Sequence, residues 1–190
     1  MEQNVSRSTN VQNGLIFGLI IGLIYCISLF LRYNLMSTNV IMVGIITLLF
    51  YLLVIGMLFF CAAKRRKELG GYIELKDSFQ TIFIAVLLAE LIYMVFNVIY
   101  LTYIDPGYFE KVQIAMEAFF EKTITDDEKR DEMIENFNEQ MEKQKKSGMT
   151  FKGIAVSYLI SVAITGVFGF IAALVMKKKR PVFESDNQSL

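Results

Sequence analysis

The sequence predicts an all-α polytopic membrane protein with four transmembrane helices and an extracytoplasmic amphipathic helical insert between helices 3 and 4. Of its 190 residues, 54% are hydrophobic, and the mean hydropathy is +0.45, which is too apolar for an ordinary soluble domain. The apolar residues are concentrated in four blocks, each long enough to cross a bilayer core of about 30 Å. Basic residues cluster beside two of these blocks, and acidic residues concentrate between the third and the fourth.

The first predicted helix covers about 14–32, after a polar cytoplasmic tail at 1–12. Its apolar run is long and no small-x-small cleavage site follows it, so we interpret it as a retained helix rather than a secretory signal. Gly14, Gly18 and Gly22 recur every four residues along it. Because rows of small residues let two helix backbones approach closely, we expect this row to be a packing face.

Helices 2 and 3 complete the first membrane section, which covers 13–104. The second helix is predicted over about 40–63 and the third over about 78–103. A basic cluster follows helix 2, as is typical of the cytoplasmic end of a span, and the same charges would suit contact with anionic lipid. The residues of this cluster are Lys64, Arg65, Arg66 and Lys67.

The segment 105–150 is the only long polar region of the sequence. From Asp105 to Lys146 it holds 12 acidic and 7 basic residues, and so has a net charge of −5. Apolar residues at helical spacing predict two amphipathic helices within it, at about 108–122 and 126–146. Their apolar stripes could pack on each other, on the membrane surface or on a partner, and all three alternatives stay open.

Residues 151–176 form the fourth predicted span, and a basic cytoplasmic tail covers 177–190. Small residues recur every four positions along this helix, a pattern that suits a right-handed crossing. The glycine row of the first helix is the partner that we consider for it. The packing candidates in the fourth helix are Gly153, Ser157 and Gly169. The basic cluster after it consists of Lys177, Lys178, Lys179 and Arg180.

The two basic clusters fall on the same side of the membrane as the N-terminus. By the positive-inside rule, both termini lie in the cytoplasm and 105–150 lies outside. Four lysines near the outer end of helix 4 favour the reverse orientation weakly, but the two compact clusters outweigh them. These lysines are Lys143, Lys145, Lys146 and Lys152. We therefore expect a multi-pass protein of the cytoplasmic (inner) membrane.

Glu90 is the only charged residue within 78–103. A carboxyl group at that depth is costly to ionise, so we expect it to face the bundle interior and to hydrogen-bond as the neutral acid. It lies about 18 Å from the cytoplasmic end of its helix, where no Lys or Arg of another predicted span is level with it. Polar residues of the other predicted helices lie at a similar depth in the membrane, and Asn97 shares the helix face of Glu90. Together they give a candidate intramembrane polar site of Glu90, Asn97, Tyr51, Thr165, Ser161 and Tyr25.

Short motifs around the third helix carry a family resemblance. They are Gly70-Gly71-Tyr72-Ile73 before it, Leu91-Ile92-Tyr93 with Phe96-Asn97 inside it, and Tyr103-Ile104-Asp105-Pro106 after it. Together with the four-helix layout and the long polar insert, they resemble the uncharacterised bacterial membrane family known as domain of unknown function 4199. The resemblance covers roughly residues 10 to 180. It implies a bacterial inner-membrane protein, and it brings no activity, catalytic residue or cofactor.

Two classes of function stay open. The small-residue rows and the amphipathic insert favour a protein that acts by association, as a subunit, an assembly protein or an envelope scaffold. The alternative is a small oligomeric transporter or ion-conducting protein that uses Glu90, because intramembrane acids often mark ion paths. An enzyme is not expected, since the sequence has no histidine, no nucleotide-binding loop and no nucleophile elbow.

The charge balance bears on the expected partners. The chain has 19 basic and 19 acidic residues, so no excess of positive charge favours the binding of nucleic acid. The partners that we expect are the lipid bilayer and either a second copy of the chain or another membrane protein. Cys26 and Cys61 lie inside apolar blocks without the spacing of metal ligands, so neither a metal site nor a cofactor is expected.

Overall fold

The computed structural model describes residues 2–36, 39–148 and 150–179, and the described chain is all-α. Four of its helices are long and apolar enough to cross a membrane, which confirms the predicted fold class. The helices are α1 (Glu2–Leu35), α2 (Val40–Glu68), α3 (Leu75–Ile99), α4 (Tyr108–Thr123), α5 (Asp127–Gly148) and α6 (Phe151–Met176). One π-helical turn, Tyr100–Ile104, continues α3.

Several helices extend past the apolar blocks that predict them. The membrane-length part of α1 begins at Thr9 and ends at Leu35, and α2 continues to Glu68. α3 begins at Leu75 instead of residue 78. The reason is that polar side chains at these ends hydrogen-bond one another, as shown below, so the helices continue where hydropathy alone predicts an end.

The described residues form two compact units, which we describe separately. The first contains the described residues up to Ile21, Leu53–Ala89 and the described residues from Val162 onward. The second contains Gly22–Leu52 and Glu90–Ser161, with the described residues in those ranges.

In the first unit, glycines of α1 lie directly against α3. A methyl group placed on Gly14 would be 2.8 Å from Cβ of Ile84 and 2.8 Å from the carbonyl oxygen of Thr81. A methyl group on Gly18 would be 2.9 Å from Cβ of Leu88. Carbon atoms in favourable contact lie about 3.5–4.0 Å apart, so this approach of the two backbones requires glycine. The glycine row is the surface of α1 that contacts α3.

α6 packs on α3 as well in this unit. A methyl group on Gly169 would be 2.7 Å from Cγ2 of Ile82. Gly14 and Gly18 of α1 and Gly169 of α6 thus all contact α3, whereas we considered from the sequence that the two rows would meet each other. Branched side chains of α3 fill the space that these glycines leave. The other two packing candidates of α6 are less buried, since Gly153 is half-buried and Ser157 is exposed.

The second unit continues the contact between α1 and α3 and adds an aromatic cluster. A methyl group on Gly22 would be 2.6 Å from Cδ1 of Ile92. The ring centroid of Tyr33 lies 4.5 Å from that of Tyr100 and 4.2 Å from that of Tyr108. Burial raises the pKa of Tyr108 to about 12, so its hydroxyl stays protonated at physiological pH.

Helices α4 and α5, also in the second unit, pack on each other. Phe120 of α4 meets Phe137 of α5 edge to face, with ring centroids 6.1 Å apart. The side-chain amide of Asn138 donates to Oε1 of Glu117 at 2.8 Å. Of the three alternatives for the amphipathic stripes, the structure therefore shows mutual packing.

The loop between α2 and α3 depends on two glycines and one β-bridge. Gly70 and Gly71 have φ angles of +75° and +91°, in the left-handed region that favours glycine. After this turn, the backbone of Ile73 pairs with that of Lys178, and each N–H donates to the other's carbonyl, at 2.9 and 3.0 Å. The chain just after α6 is therefore attached to the Gly70-Gly71-Tyr72-Ile73 motif.

Candidate functional site

Glu90 is buried in the second unit, with 2% of its surface exposed. The hydroxyl of Tyr25, from α1, donates to its Oε1 at 3.1 Å. The hydroxyl of Ser161, from α6, donates to its Oε2 at 2.6 Å. Side chains from three helices therefore meet at one carboxyl group, which we call the Glu90 centre (Glu90, Tyr25 and Ser161).

The two hydroxyl groups can serve Glu90 in either protonation state. An ionised carboxylate accepts a hydrogen bond from both of them. A neutral acid accepts from one and donates its own proton to the other, because a hydroxyl group is both a donor and an acceptor. The contacts of Glu90 to α1 and α6 are therefore compatible with the hydrogen-bonding capacity of the carboxyl group in both forms.

The remaining members of the predicted polar site differ in exposure and in their recorded contacts. Asn97 accepts a hydrogen bond from the hydroxyl of Tyr33, so it forms its own link between α3 and α1. Tyr51 is 54% exposed. Thr165 belongs to the first unit, where it is half-buried. The side chain of Tyr51 also lines a small cavity beside Tyr25.

A small cavity adjoins Tyr25 in the second unit. Its volume is about 20 Å³, enough for one water molecule. The ring of Tyr93 packs edge to face on that of Tyr25, with centroids 5.4 Å apart. The side chains that line the cavity are Tyr25, Ser28, Arg32, Thr47, Phe50, Tyr51 and Tyr93.

Arg32 is a residue of this cavity that the sequence analysis missed. The predicted first helix ended at about residue 32, whereas α1 continues to Leu35, so Arg32 lies inside the membrane-length helix. Its Nε atom is buried without a hydrogen-bond partner among the described residues. The polar residues that follow it, up to Asn39, made residue 32 look like the start of a turn.

A second buried polar cluster, in the first unit, was not predicted. Arg65 is only 3% exposed, and its Nε donates to Oδ1 of Asn10 at 2.5 Å. Its NH1 donates to Oε2 of Glu68 at 3.3 Å. The amide of Asn10 donates to Oδ1 of Asp77 at 2.9 Å, and that of Asn13 donates to Glu68 at 2.5 Å. This cluster joins α1, α2 and α3.

The guanidinium group of Arg65 is therefore enclosed by side chains of the protein, which leaves the other residues of its basic cluster for the lipid contact considered from the sequence. Most of the other basic residues of the two clusters are exposed, namely Lys64, Lys67, Lys177, Lys178 and Lys179. Arg66 is half-buried. Arg180 lies outside the described residues. A signal for the buried cluster was present in the sequence, since Asn10 stands one four-residue step before Gly14 in the same row.

The chemistry of the Glu90 centre predicts that Tyr25→Phe destabilises the protein while Tyr51→Phe does not. Tyr25→Phe removes a hydrogen bond from a buried carboxyl group, which costs about 1 kcal/mol in a membrane protein. Tyr51→Phe removes the same atom from an exposed side chain that was an equal candidate from the sequence. The free energy of unfolding in detergent micelles measures both. Equal losses in the two variants would show that the hydroxyl of Tyr25 has no special role.

The described residues contain no group of three His, Cys, Asp or Glu side chains placed to hold a metal ion. Cys26 is half-buried, Cys61 is buried, and both are free thiols.

Comparisons with curated proteins and with solved structures gave no match. A family model described as "Protein of unknown function (DUF4199)" matches residues 12–178. The matched range contains the Glu90 centre, the loop between α2 and α3, and the insert of α4 and α5. The match confirms the resemblance noted in the sequence, and it shows that this chain belongs to the DUF4199 family of proteins of unknown function.

Proposed function

We propose that this chain is an integral protein of the cytoplasmic (inner) membrane that acts by association, as a subunit, an assembly protein or an envelope scaffold, and not as an enzyme. The observation that carries the proposal is the exposure of α2. Only 6% of its most apolar 18-residue stretch is buried within the chain, whereas 44% of the corresponding stretch of α1 is buried. A helix with so little contact inside its own chain has most of its surface available to lipid and to another protein.

The glycines of α2 support a protein partner for part of this surface. A methyl group placed on Gly44 or Gly56 would meet nothing within 4 Å. In α1, by contrast, each glycine of the row is in close contact with α3. Glycine weakens a helix by roughly 1 kcal/mol relative to alanine, and small residues are typical of surfaces where membrane helices pack. We therefore propose that a helix of a second membrane protein, or of a second copy of this chain, packs on α2.

Photo-crosslinking tests this proposal at matched positions. Leu48 on α2 and Leu23 on α1 are both leucines with 62% of their surface exposed. With a photoreactive amino acid at either position in the native membrane, we expect a protein adduct from position 48 and none from position 23. Equal adducts at both positions, or adducts with lipid alone at position 48, would contradict association through α2.

For the orientation, we propose that both termini lie in the cytoplasm and that α4 and α5 lie outside. The exposed lysines at the ends of α2 and α6 support this orientation under the positive-inside rule. The acidic composition of the segment between α3 and α6 is consistent with the same orientation.

Cysteine accessibility tests the orientation. In a chain with Cys26 and Cys61 replaced by alanine, Lys143→Cys should react with an impermeant maleimide in intact spheroplasts, because the side chain of Lys143 is 76% exposed on α5. The control, Lys177→Cys, should react only after lysis. The reverse labelling pattern would overturn the orientation.

A second candidate function, proton or ion conduction by an oligomer, is favoured by one observation. The Glu90 centre and the cavity beside Tyr25 place a carboxyl group, hydroxyl groups and space for one water along one side of α1. Intramembrane acids in such surroundings can carry protons. Proton flux into vesicles reconstituted with the protein, lost in Glu90→Gln, would favour conduction. Flux that is absent, or unchanged in Glu90→Gln, would leave association as the proposal.

A further inference from the structure

We propose that a groove of the first unit, beside the end of α6, binds the headgroup and the first acyl carbons of an anionic phospholipid. The groove lies between the loop that precedes α3, the start of α3 and the end of α6. Its volume is about 1000 Å³, at the upper end of the range typical of small-molecule sites. The proposal goes beyond association with a protein, because the occupant is a lipid and the surface does not involve the exposed part of α2.

Positive charge predominates among the ionisable side chains that line this groove. The lysines that line it are Lys76, Lys177, Lys178 and Lys179, and all four are exposed. Two acidic residues, Glu74 and Asp77, line it as well, and Asp77 already accepts a hydrogen bond from Asn10. The groove therefore carries an excess of basic groups, and basic pockets beside transmembrane helices are suited to anionic headgroups.

The lysines after α6 are held in place by the protein. The backbone of Lys178 is paired with Ile73 in the β-bridge. The ammonium group of Lys178 lies 5.4 Å from the centre of the Tyr72 ring, within the range of a cation–π interaction. A site whose backbone is fixed before binding loses less entropy when the ligand binds.

Apolar side chains also line the groove, among them Phe79 and Phe170. The rings of Phe79 and Phe170 meet edge to face with centroids 5.6 Å apart, and 43% of the surface of Phe170 is exposed. Further exposed apolar side chains follow on α6, at Ile171 and Leu174. A phosphate ion would use only the lysines, whereas a phospholipid matches both the basic and the apolar side chains. For this reason we assign the groove to a lipid.

The basic cluster at the end of α2 provides a matched control. Because Arg65 is enclosed, three of its basic side chains are exposed or half-buried, which equals the number of basic side chains that the structure describes in the cluster after α6. Lys64 lies 5.4 Å from the centre of the Phe17 ring and is exposed, as is Lys67. Replacing Lys64, Arg66 and Lys67 with glutamine therefore removes three positive charges from the first unit and leaves the groove intact.

Native mass spectrometry of the full chain in detergent tests the proposal, with phosphatidylglycerol as the probe and phosphatidylcholine of the same acyl chains as the reference lipid. We expect the protein to retain phosphatidylglycerol in preference. Each lysine near a headgroup contributes about fivefold in affinity, so replacing Lys177, Lys178 and Lys179 together with glutamine should weaken retention by about 100-fold. The control triple should change it by less than about fivefold. Lys177→Gln alone, expected to weaken retention about fivefold, serves if the triple variant does not fold.

Several results would overturn the assignment. Equal weakening by the two triple variants would mean diffuse attraction to basic charge, and equal retention of the two lipids would mean that the groove does not select anionic headgroups. Displacement of the lipid by an equal concentration of inorganic phosphate would mean an anion site without lipid recognition.

Discussion

The close approach of α1 to α3 is the contact on which the rest of this structure depends. Three glycines of α1 meet α3 side chains that stand 70 positions later in the chain, in the pairs 14 with 84, 18 with 88 and 22 with 92. A constant offset means that the two helices run parallel where these glycines lie. Without β-carbons on one helix, the backbones come close enough for short polar side chains to reach across. The polar contacts of both units follow from this proximity.

The polar pairs in turn define which residues of the two helices face each other. Tyr25 bonds Glu90, Tyr33 bonds Asn97, and the cluster of Arg65 connects Asn10 to the start of α3. A polar group without a partner is costly in the hydrocarbon region, so a shift along the helix axis would be penalised at each pair. Packing of glycine against branched side chains sets the distance between the helices, and hydrogen bonding sets their register. The hydrogen bond from Ser161 to Glu90 fixes the register of α6 relative to α3 in the same way.

The sequence predicted the features that depend on composition and on depth. Four spans follow from block length, and two of the four proposed partners of Glu90, Tyr25 and Ser161, donate hydrogen bonds to it. It could not predict the features that depend on which helices are neighbours. The glycine row predicted that one face of α1 packs against another helix, but it did not predict which helix. A row of small residues can pack against any helix with complementary side chains. Tyr51 had a suitable depth, but its side chain is 54% exposed and lines the cavity beside Tyr25.

Hydropathy did not predict the helix ends correctly, because these ends also depend on contacts between helices. Asn10, Arg32 and Arg65 each lie where a sliding average of hydropathy predicts a helix end or a topology signal. In the structure all three lie within helices, and Asn10 and Arg65 are buried because they satisfy each other's hydrogen bonds. These hydrogen bonds form only when the helices pack together. An interpretation of one sequence therefore assigns such residues to tails and turns.

The most direct test of this account is a comparison of two glycine-to-alanine variants by their free energy of unfolding in micelles. Gly14→Ala would place a methyl group 2.8 Å from the carbonyl oxygen of Thr81, so it should destabilise the protein by about 1–3 kcal/mol. Gly56→Ala adds the same group in the middle of α2, where nothing lies within 4 Å, and should be neutral or stabilising by up to about 1 kcal/mol. If Gly14→Ala is as well tolerated as Gly56→Ala, the close contact between α1 and α3 does not hold the fold together.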